Sequence, residues 1–338
     1  MSDAGPEPRG DAGSAEAVGV PADLLSRLQQ AIGENVIGYG DAIEALTIAL
    51  ACDGHLLLEG VPGLAKTYLV RSFAHALDLT FRRIQFTPDM LPADIIGNVV
   101  LNPSSRSLEF RAGPVFSNVL LADEINRAPP KVQSALLEAM QEYQVTVDGR
   151  TYPLARPFLV IATQNPIEQG GTYPLPEAQL DRFLFRYLLT YPSRPDEVQI
   201  LRRQGEAPGR EPAPRIVTAE QVALLRARQA ATYVSPAILE YVADVVRETR
   251  NDPRILLGAS PRAGVHLLWA ARARAALDAR RYVLPDDVRA LAFATLNHRI
   301  ILKPEVRRPP GREGAAPREP EVLREVVSGA VDRVAVPR

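Results

Sequence analysis

The sequence predicts a parallel α/β domain followed by a smaller all-helical domain, and three observations carry this. Short apolar runs alternate with helical patterns from about residue 55 to 190, as they do when a parallel sheet is covered on both faces. A glycine-rich loop joins the first of those runs to a helix. Beyond residue 216 every patterned segment repeats at helical spacing.

Taken in order, 22–33 and 41–52 carry apolar side chains at helical spacing, with Asp41 placed to cap the second helix and Gly54 to stop it. The run 55–59, bounded by Gly54 and Gly60, is too short for a helix and reads as a buried strand. A helix over 66–77 and a strand over 81–86 follow. The stretch 87–113 is rich in Pro, Asn, Gly and Ser and reads as irregular, before an apolar strand over 118–123. The pair Pro129-Pro130 suits the first turn of a helix over 129–142. Residues 144–154 alternate around Asp148-Gly149, which accepts the positive φ angles of a tight hairpin turn. Strands over 158–163 and 183–188 complete the sheet. Residues 191–216 shift to Pro, Gly, Arg and Glu and read as a linker. Helices over 218–230, 236–249, 262–279 and 285–297 then form the second domain. A Pro- and Arg-rich tail ends in a short helix over 321–331.

Composition bounds the partners. The 338 residues are 46% hydrophobic and 23% charged, enough for two packed cores. The formal net charge of -1 gives no overall attraction to nucleic acid, and no basic stripe with interleaved aromatics suggests it. Cys52 alone excludes an internal disulfide, and His55, His75, His266 and His298 show no metal-ligand spacing. Residues 1–20 lack the basic and apolar regions of a secretory signal, and no apolar stretch reaches the ~18–20 residues that span a bilayer. A soluble cytoplasmic protein without membrane insertion is expected.

Three segments carry chemistry. Gly60-Val61-Pro62-Gly63-Leu64-Ala65-Lys66-Thr67 lies between a predicted strand and a predicted helix. There, backbone N–H groups and a helix N-terminus can hold a triphosphate, Lys66 can reach its β and γ phosphates, and Thr67 can ligate magnesium. A plain glycine turn is the alternative. Ala65 stands where such loops usually have glycine, which is costly if its φ is positive. Val119-Leu120-Leu121-Ala122-Asp123-Glu124 is an apolar strand ending in two carboxylates: Asp123 is assigned to the metal and Glu124 to the attacking water. In Ala162-Thr163-Gln164-Asn165-Pro166, Asn165 can sit between the γ phosphate and that water, or can belong to an ordinary Asn-Pro turn.

These segments, together with Tyr173-Pro174-Leu175-Pro176-Glu177-Ala178-Gln179-Leu180-Asp181-Arg182-Phe183 and Gly258-Ala259-Ser260-Pro261-Arg262, resemble the AAA+ superfamily and within it the MoxR family, over about residues 20–335. The resemblance implies a P-loop AAA+ nucleotide domain, a parallel sheet flanked by helices, followed by a small all-helical lid. The organisation is then a disordered tail (1–20), an α/β ATPase core (21–192), a linker (193–216), a helical lid (217–302) and a tail with a terminal helix (303–338). Ala65 is ordinary for that family. Arg182 resembles the arginine finger that reaches a neighbouring subunit, and Arg262 a second sensor acting within its own subunit. Arg127 is a lesser candidate, equally able to pair with a carboxylate at a subunit interface. Tyr68, Ile37 and Gly38 are expected beside the nucleotide, whereas Tyr39 replaces the family's usual glutamine and either stacks near the base or lies at the surface. The stretch 87–113 and the hairpin at Asp148 resemble insertions that line or cap a central pore, or else are variable surface loops.

The implied activity is magnesium-dependent hydrolysis of ATP by a homo-oligomer, expected as a hexameric ring. Its chaperone-like role would be to remodel, mature or activate protein clients, including von Willebrand factor A domain proteins. The alternatives are a nucleic-acid or magnesium-chelatase-type motor subunit, and a nucleotide-gated interaction module with little turnover.

Overall fold

The structure is a computed structural model that describes residues 20–165, 171–206, 213–307 and 319–337. The tail expected over 1–20, apart from Val20, lies outside the described residues, as do Pro166 and much of the Pro- and Arg-rich tail.

Two helices, α1 (Leu24–Gly33) and α2 (Gly40–Ala51), lead into β1 (Leu56–Glu59) and α3 (Lys66–Ala76). Asp41 falls inside the first turn of α2, where it faces the positive helix end, and Tyr39 precedes the helix instead. Next come β2 (Phe81–Gln85), α4 (Ala93–Ile96), β3 (Gly97–Asn102), β4 (Ser107–Ala112), β5 (Val119–Asp123) and α5 (Pro130–Glu142). The hairpin β6 (Gln144–Val147) and β7 (Arg150–Pro153) precedes β8 (Leu159–Gln164), α6 (Glu177–Leu180) and β9 (Phe185–Leu188).

The main sheet has five strands in the order β2-β5-β8-β1-β9, every neighbouring pair parallel. Side chains alternate across it as the two-residue strand period requires. Leu56, Leu58, Val119, Leu121, Leu159 and Ile161 enter the core shared with α1, α2 and α3. Leu57, Leu120, Ala122, Val160 and Ala162 enter a second core with Val132, Leu136 and Met140 of α5. Burial on both faces explains why β1, β5 and β8 read as continuous apolar runs.

Two expectations are corrected. The stretch 87–113 is ordered: α4 turns into the antiparallel β3–β4 hairpin. Its entry depends on Gly97, at φ 95°, and on Gly113, because a Cβ at either position would lie 2.3 Å from a backbone oxygen, of Arg111 and of Ile95 respectively. Most of the hairpin is exposed, so no buried face imposed an apolar alternation that sequence reading could detect. It leans on the β6–β7 hairpin through Phe110 and Tyr152, whose rings stack 3.9 Å apart. That second hairpin is as expected, with Asp148 at φ 49° and Gly149 at φ 75°.

The supposed linker contains α7 (Arg194–Glu206). Ser193 and Asp196 tie its first turn, the Ser193 hydroxyl and N–H donating to Asp196 Oδ2 at 2.6 and 3.3 Å. Its polar composition disguised it.

The second domain contains α8 (Ala219–Ala231), α9 (Pro236–Glu248), β10 (Ile255–Leu257), α10 (Pro261–Leu277), α11 (Pro285–Leu296), β11 (Ile301–Leu302), α12 (Pro304–Arg307) and α13 (Glu319–Arg333). Thr218 and Gln221 form a reciprocal cap on α8. The helical core is continuous with the first core of the sheet, so lid and sheet share apolar packing. The terminal helix α13 is longer than expected and docks on α9 and α11, burying Val322, Leu323, Val326 and Val327.

Three imidazoles tie this interior to pH. Burial pushes the pKa of His55 down to about 4 and, with help from the Arg299 and Arg262 charges, that of His266 to about 3; His298 is also held well below its usual range. In the unfolded chain each takes a proton near pH 6.5. Between the folded and unfolded values the unfolded chain holds more protons, so stability falls as pH drops from about 6.5 towards 4. The expected slope is about 1.4 kcal/mol per pH unit for each histidine. Urea unfolding at pH 7 and pH 5 should show a clearly lower midpoint at pH 5; coincident curves would contradict this burial.

Candidate functional site

The parallel pairing of β5, β8 and β1 brings their C-terminal ends together, with Leu121 opposite Ile161, and Glu59 opposite Gln164. From the end of β1 the chain turns through 60–65 into α3. Gly63 adopts φ 87° with open space around it, and Ala65 holds φ 53°, the strained value that its position made a concern. A left-handed alanine costs about 1–2 kcal/mol, which the surrounding loop must offset. Lys66 is the first residue of α3, and its Nζ donates to the Gly60 carbonyl at 2.6 Å, which folds the ammonium back over the loop. Burial lowers the lysine pKa, while the charges of Asp123, Glu124 and Glu59 act against that shift.

At the end of β5, Asp123 is buried and Glu124 takes φ 60°, which turns the two carboxylates apart. Thr163 on β8 serves both: its hydroxyl donates to Asp123 Oδ1 at 2.5 Å and accepts the Glu124 N–H at 2.9 Å. The other Asp123 oxygen accepts from Arg83 Nη2 at 2.7 Å and Nε at 3.1 Å, and lies 3.5 Å from the Thr67 hydroxyl. Glu124 is held by Gln85 Nε2 at 2.7 Å and by Arg127 Nε at 2.9 Å. Arg127 therefore pairs within its own chain.

Residues 62–68, including Tyr68, together with Asp123, Glu124 and Asn165 line one cleft of about 420 Å³. The same loop, through Pro62, Gly63, Leu64 and Ala65, also borders a larger cleft of about 640 Å³. That cleft is walled by Val36, Ile37, Tyr39, Tyr191, Pro192 and three residues of α7, Glu197, Ile200 and Leu201. The loop thus separates a polar, carboxylate-bearing chamber from a more apolar one, the shape a nucleotide with a charged and an aromatic end requires. Tyr39 is a buried wall residue here. Gly38, at φ 85°, packs so closely that an added Cβ would lie 3.1 Å from the Asp196 carboxylate.

Arg182 and Arg262 are elsewhere. Both line a third cleft of about 370 Å³ with Asp53, Gly54, His55 and Trp269, at the N-terminal ends of β1 and β9. The glycine loop leaves the C-terminal end of β1, and four residues of strand span roughly 13 Å. Arg262 was expected to act within its own subunit; in the structure it lines the cleft at the start of β1, and the length of that strand lies between this cleft and its own glycine loop. Arg262 Nη1 lies 3.7 Å from Asp181 Oδ2. Among the described residues the Arg182 guanidinium makes no hydrogen bond or ion pair.

Sequence reading missed Arg83, Gln85, Thr163 and the α7 wall. Arg83 and Gln85 share one face of β2 beside the acidic pair, an alternation visible only once the strand order is known. Thr163 could have been found as the one hydroxyl in the tip that also carries Asn165. Replacing it with the isosteric valine, Thr163→Val, leaves the part-buried Glu124 N–H without its acceptor and Asp123 Oδ1 without its donor, while Oδ2 keeps Arg83. A loss of about 1–3 kcal/mol is expected, read as a lower urea midpoint; an unchanged midpoint would contradict the bridge.

A magnesium ion fits this donor set. Among the described residues no group of three or more His, Cys, Asp or Glu side chains is placed to hold a metal. One hydroxyl and one carboxylate, Thr67 and Asp123, match an ion that prefers oxygen and takes most of its ligands from phosphates and water. Among the described residues no helix is long and apolar enough to cross a membrane.

A glycine loop feeding a helix, an acidic pair at the C-terminal end of an inner strand and a helical lid sharing the sheet's core define a P-loop AAA+ nucleotide domain. The chain matches the family model "ATPase family associated with various cellular activities (AAA)" over residues 55–185 and the AAA lid domain over 247–322. It is 46% identical over 284 residues to the protein YeaC of Bacillus subtilis, covering 84% of this chain and 89% of that protein. It is 44% identical over 299 residues to Chaperone MoxR1 of Mycobacterium tuberculosis, covering 86% and 79%. A solved structure from Cytophaga hutchinsonii superposes with a TM-score of 0.84 at 42% identity, covering 94% of this chain and 96% of that one. The chain belongs to the MoxR family of AAA+ ATPases.

Proposed function

We propose that the protein hydrolyses ATP in a magnesium-dependent reaction as a homo-oligomeric ring, a hexamer, in which each site is completed by the neighbouring chain. One observation carries this reading: the Arg182 guanidinium, unpaired among the described residues, lies at the opposite end of the sheet from the glycine loop, away from its own site. A ring brings that edge against the next subunit's γ phosphate. Arg262, in the same cleft, joins it there.

In this reading the loop N–H groups and Lys66 bind the triphosphate, and the α7 chamber takes the adenine. Bound magnesium, held by Thr67 and Asp123, supplies charge neutralisation of the phosphate oxygens. Glu124 leaves Gln85 and Arg127 to orient a water and accept its proton, while Asn165 aligns that water. The water oxygen bonds to the γ phosphorus as the bond to the β–γ bridging oxygen breaks, and ADP leaves with that oxygen. Charge spreads over the equatorial oxygens in transit, and Arg182 offers those oxygens a permanently charged fork.

The output is proposed to be mechanical work on protein clients in the cytoplasm: remodelling, maturing or activating complexes, including those with von Willebrand factor A domains. The mycobacterial relative is named a chaperone, and the β3–β4 hairpin exposes Leu101 and Leu108 for such contacts. Phosphate release from ATP and magnesium, followed across protein concentration, tests this. Turnover per chain should rise steeply as the chain assembles; turnover independent of concentration would refute the shared site.

A further inference from the structure

The segment that carries Arg182 is gripped by three consecutive lid residues. Asn297 Nδ2 donates to the Arg186 carbonyl at 2.9 Å, and His298 Nε2 donates to that of Phe183 at 3.2 Å. Arg299 does most: its Nε donates to Asp181 Oδ1 at 2.7 Å, Nη2 to the Asp181 carbonyl at 3.1 Å and Nη1 to that of Leu184 at 3.2 Å. It also bonds the carbonyls of Phe183 and Thr295, and donates to His266 Nδ1 at 2.6 Å. Its side chain is 1% exposed. A buried guanidinium is tolerated only when a charge and a full set of acceptors meet it, and here they come from residues on both sides of Arg182. Asp181 in turn faces Arg262 and accepts from the Ser260 hydroxyl at 3.4 Å, so one carboxylate touches both the α11 end and the start of α10.

We propose that Arg299, acting with Asp181, is a positioning residue for Arg182. The pair locks the Arg182 loop to the lid, so the angle of the lid sets where Arg182 is presented to the neighbouring site. This rests on the reading of Arg182 as a group that acts on that site. Arg299 touches no nucleotide; its effect passes through the loop it holds. Lysine at this position keeps the charge but loses the fork that reaches Asp181, Phe183 and Leu184 together.

The test compares Arg299→Lys, Asp181→Asn and Arg182→Ala with the parent, each checked for assembly and ADP affinity. Two quantities are read: kcat against KM for ATP, and retention of ADP with aluminium fluoride, whose planar fluoride stands in for the phosphoryl group in transit. Misplacing a reacting group by about 1 Å can cost roughly 100-fold. Arg299→Lys and Asp181→Asn should therefore lose about 10- to 100-fold in kcat with KM within twofold. They should also release the fluoride complex faster, with ADP affinity alone unchanged. The Asp181 side chain is less buried than that of Arg299, 23% exposed against 1%, so its variant keeps the test open if the buried arginine variant fails to fold. If Arg182→Ala releases the complex while both positioning variants retain it as the parent does, the proposal is overturned. It is overturned equally if their losses appear in ADP affinity or assembly, as a purely structural role would give. If Arg182→Ala itself retains the complex, the reading of Arg182 fails, and the proposal with it.

Discussion

Arg182→Ala should lower kcat by about 1000-fold or more while ATP affinity and assembly stay unchanged. Guanidinium groups that enter a phosphoryl-transfer site from another chain contribute on the order of 10³- to 10⁵-fold, because they meet charge that exists only in transit. The own-chain nucleotide cleft contains no part of Arg182, so ground-state binding has no reason to change. The same logic makes Arg182→Lys a poor rescue, since an ammonium cannot bridge two phosphate oxygens in a fixed plane. Steady-state phosphate release and a fluorescent-nucleotide titration check both halves. A variant that weakens ATP binding and leaves kcat intact would mean Arg182 acts on the ground state.

Glu124→Gln should leave ATP bound and unspent. The amide keeps the shape of the side chain and can still meet Gln85, but it cannot take a proton from water. A positioned base is worth about 10²- to 10⁴-fold, and a loss in that range is expected in kcat. Binding should persist because Lys66, Thr67 and Asp123 are untouched. Thr163 still anchors the Glu124 backbone, so the turn at φ 60° should survive as well. Rapid-quench turnover and equilibrium binding with the same preparation give the two numbers. Loss of ATP binding instead would place the residue in the binding set and remove its role towards water.

The parallel sheet was legible because burying β1, β5 and β8 on both faces requires uninterrupted apolar runs, and the glycine loop because its backbone path needs particular residues. The neighbours of the carboxylates were not. Arg83 and Gln85 meet Asp123 and Glu124 only because β2 pairs with β5, a fact of strand order rather than of spacing. The α7 wall was hidden by its own polarity: a helix that buries little beyond the nucleotide chamber has no apolar stripe to betray it. The β3–β4 hairpin escaped for the related reason that it lies mostly in solvent. The place of Arg262 was not legible, because a sequence gives no indication of which end of a sheet a lid helix begins on; its position beside Asp181 and in the cleft with Arg182 follows from how the lid packs.

The central claim is that one chain's Arg182 completes another chain's site, and mixing two inactive variants tests it most directly. Lys66→Ala chains cannot bind the triphosphate yet offer intact Arg182; Arg182→Ala chains bind it but offer none. Mixed before assembly, they should form rings in which some Arg182→Ala sites face an intact neighbour. Phosphate release should then rise well above the sum of the two separate preparations and peak near equal proportions. A mixture that co-assembles and still releases phosphate only at that sum would contradict the shared site.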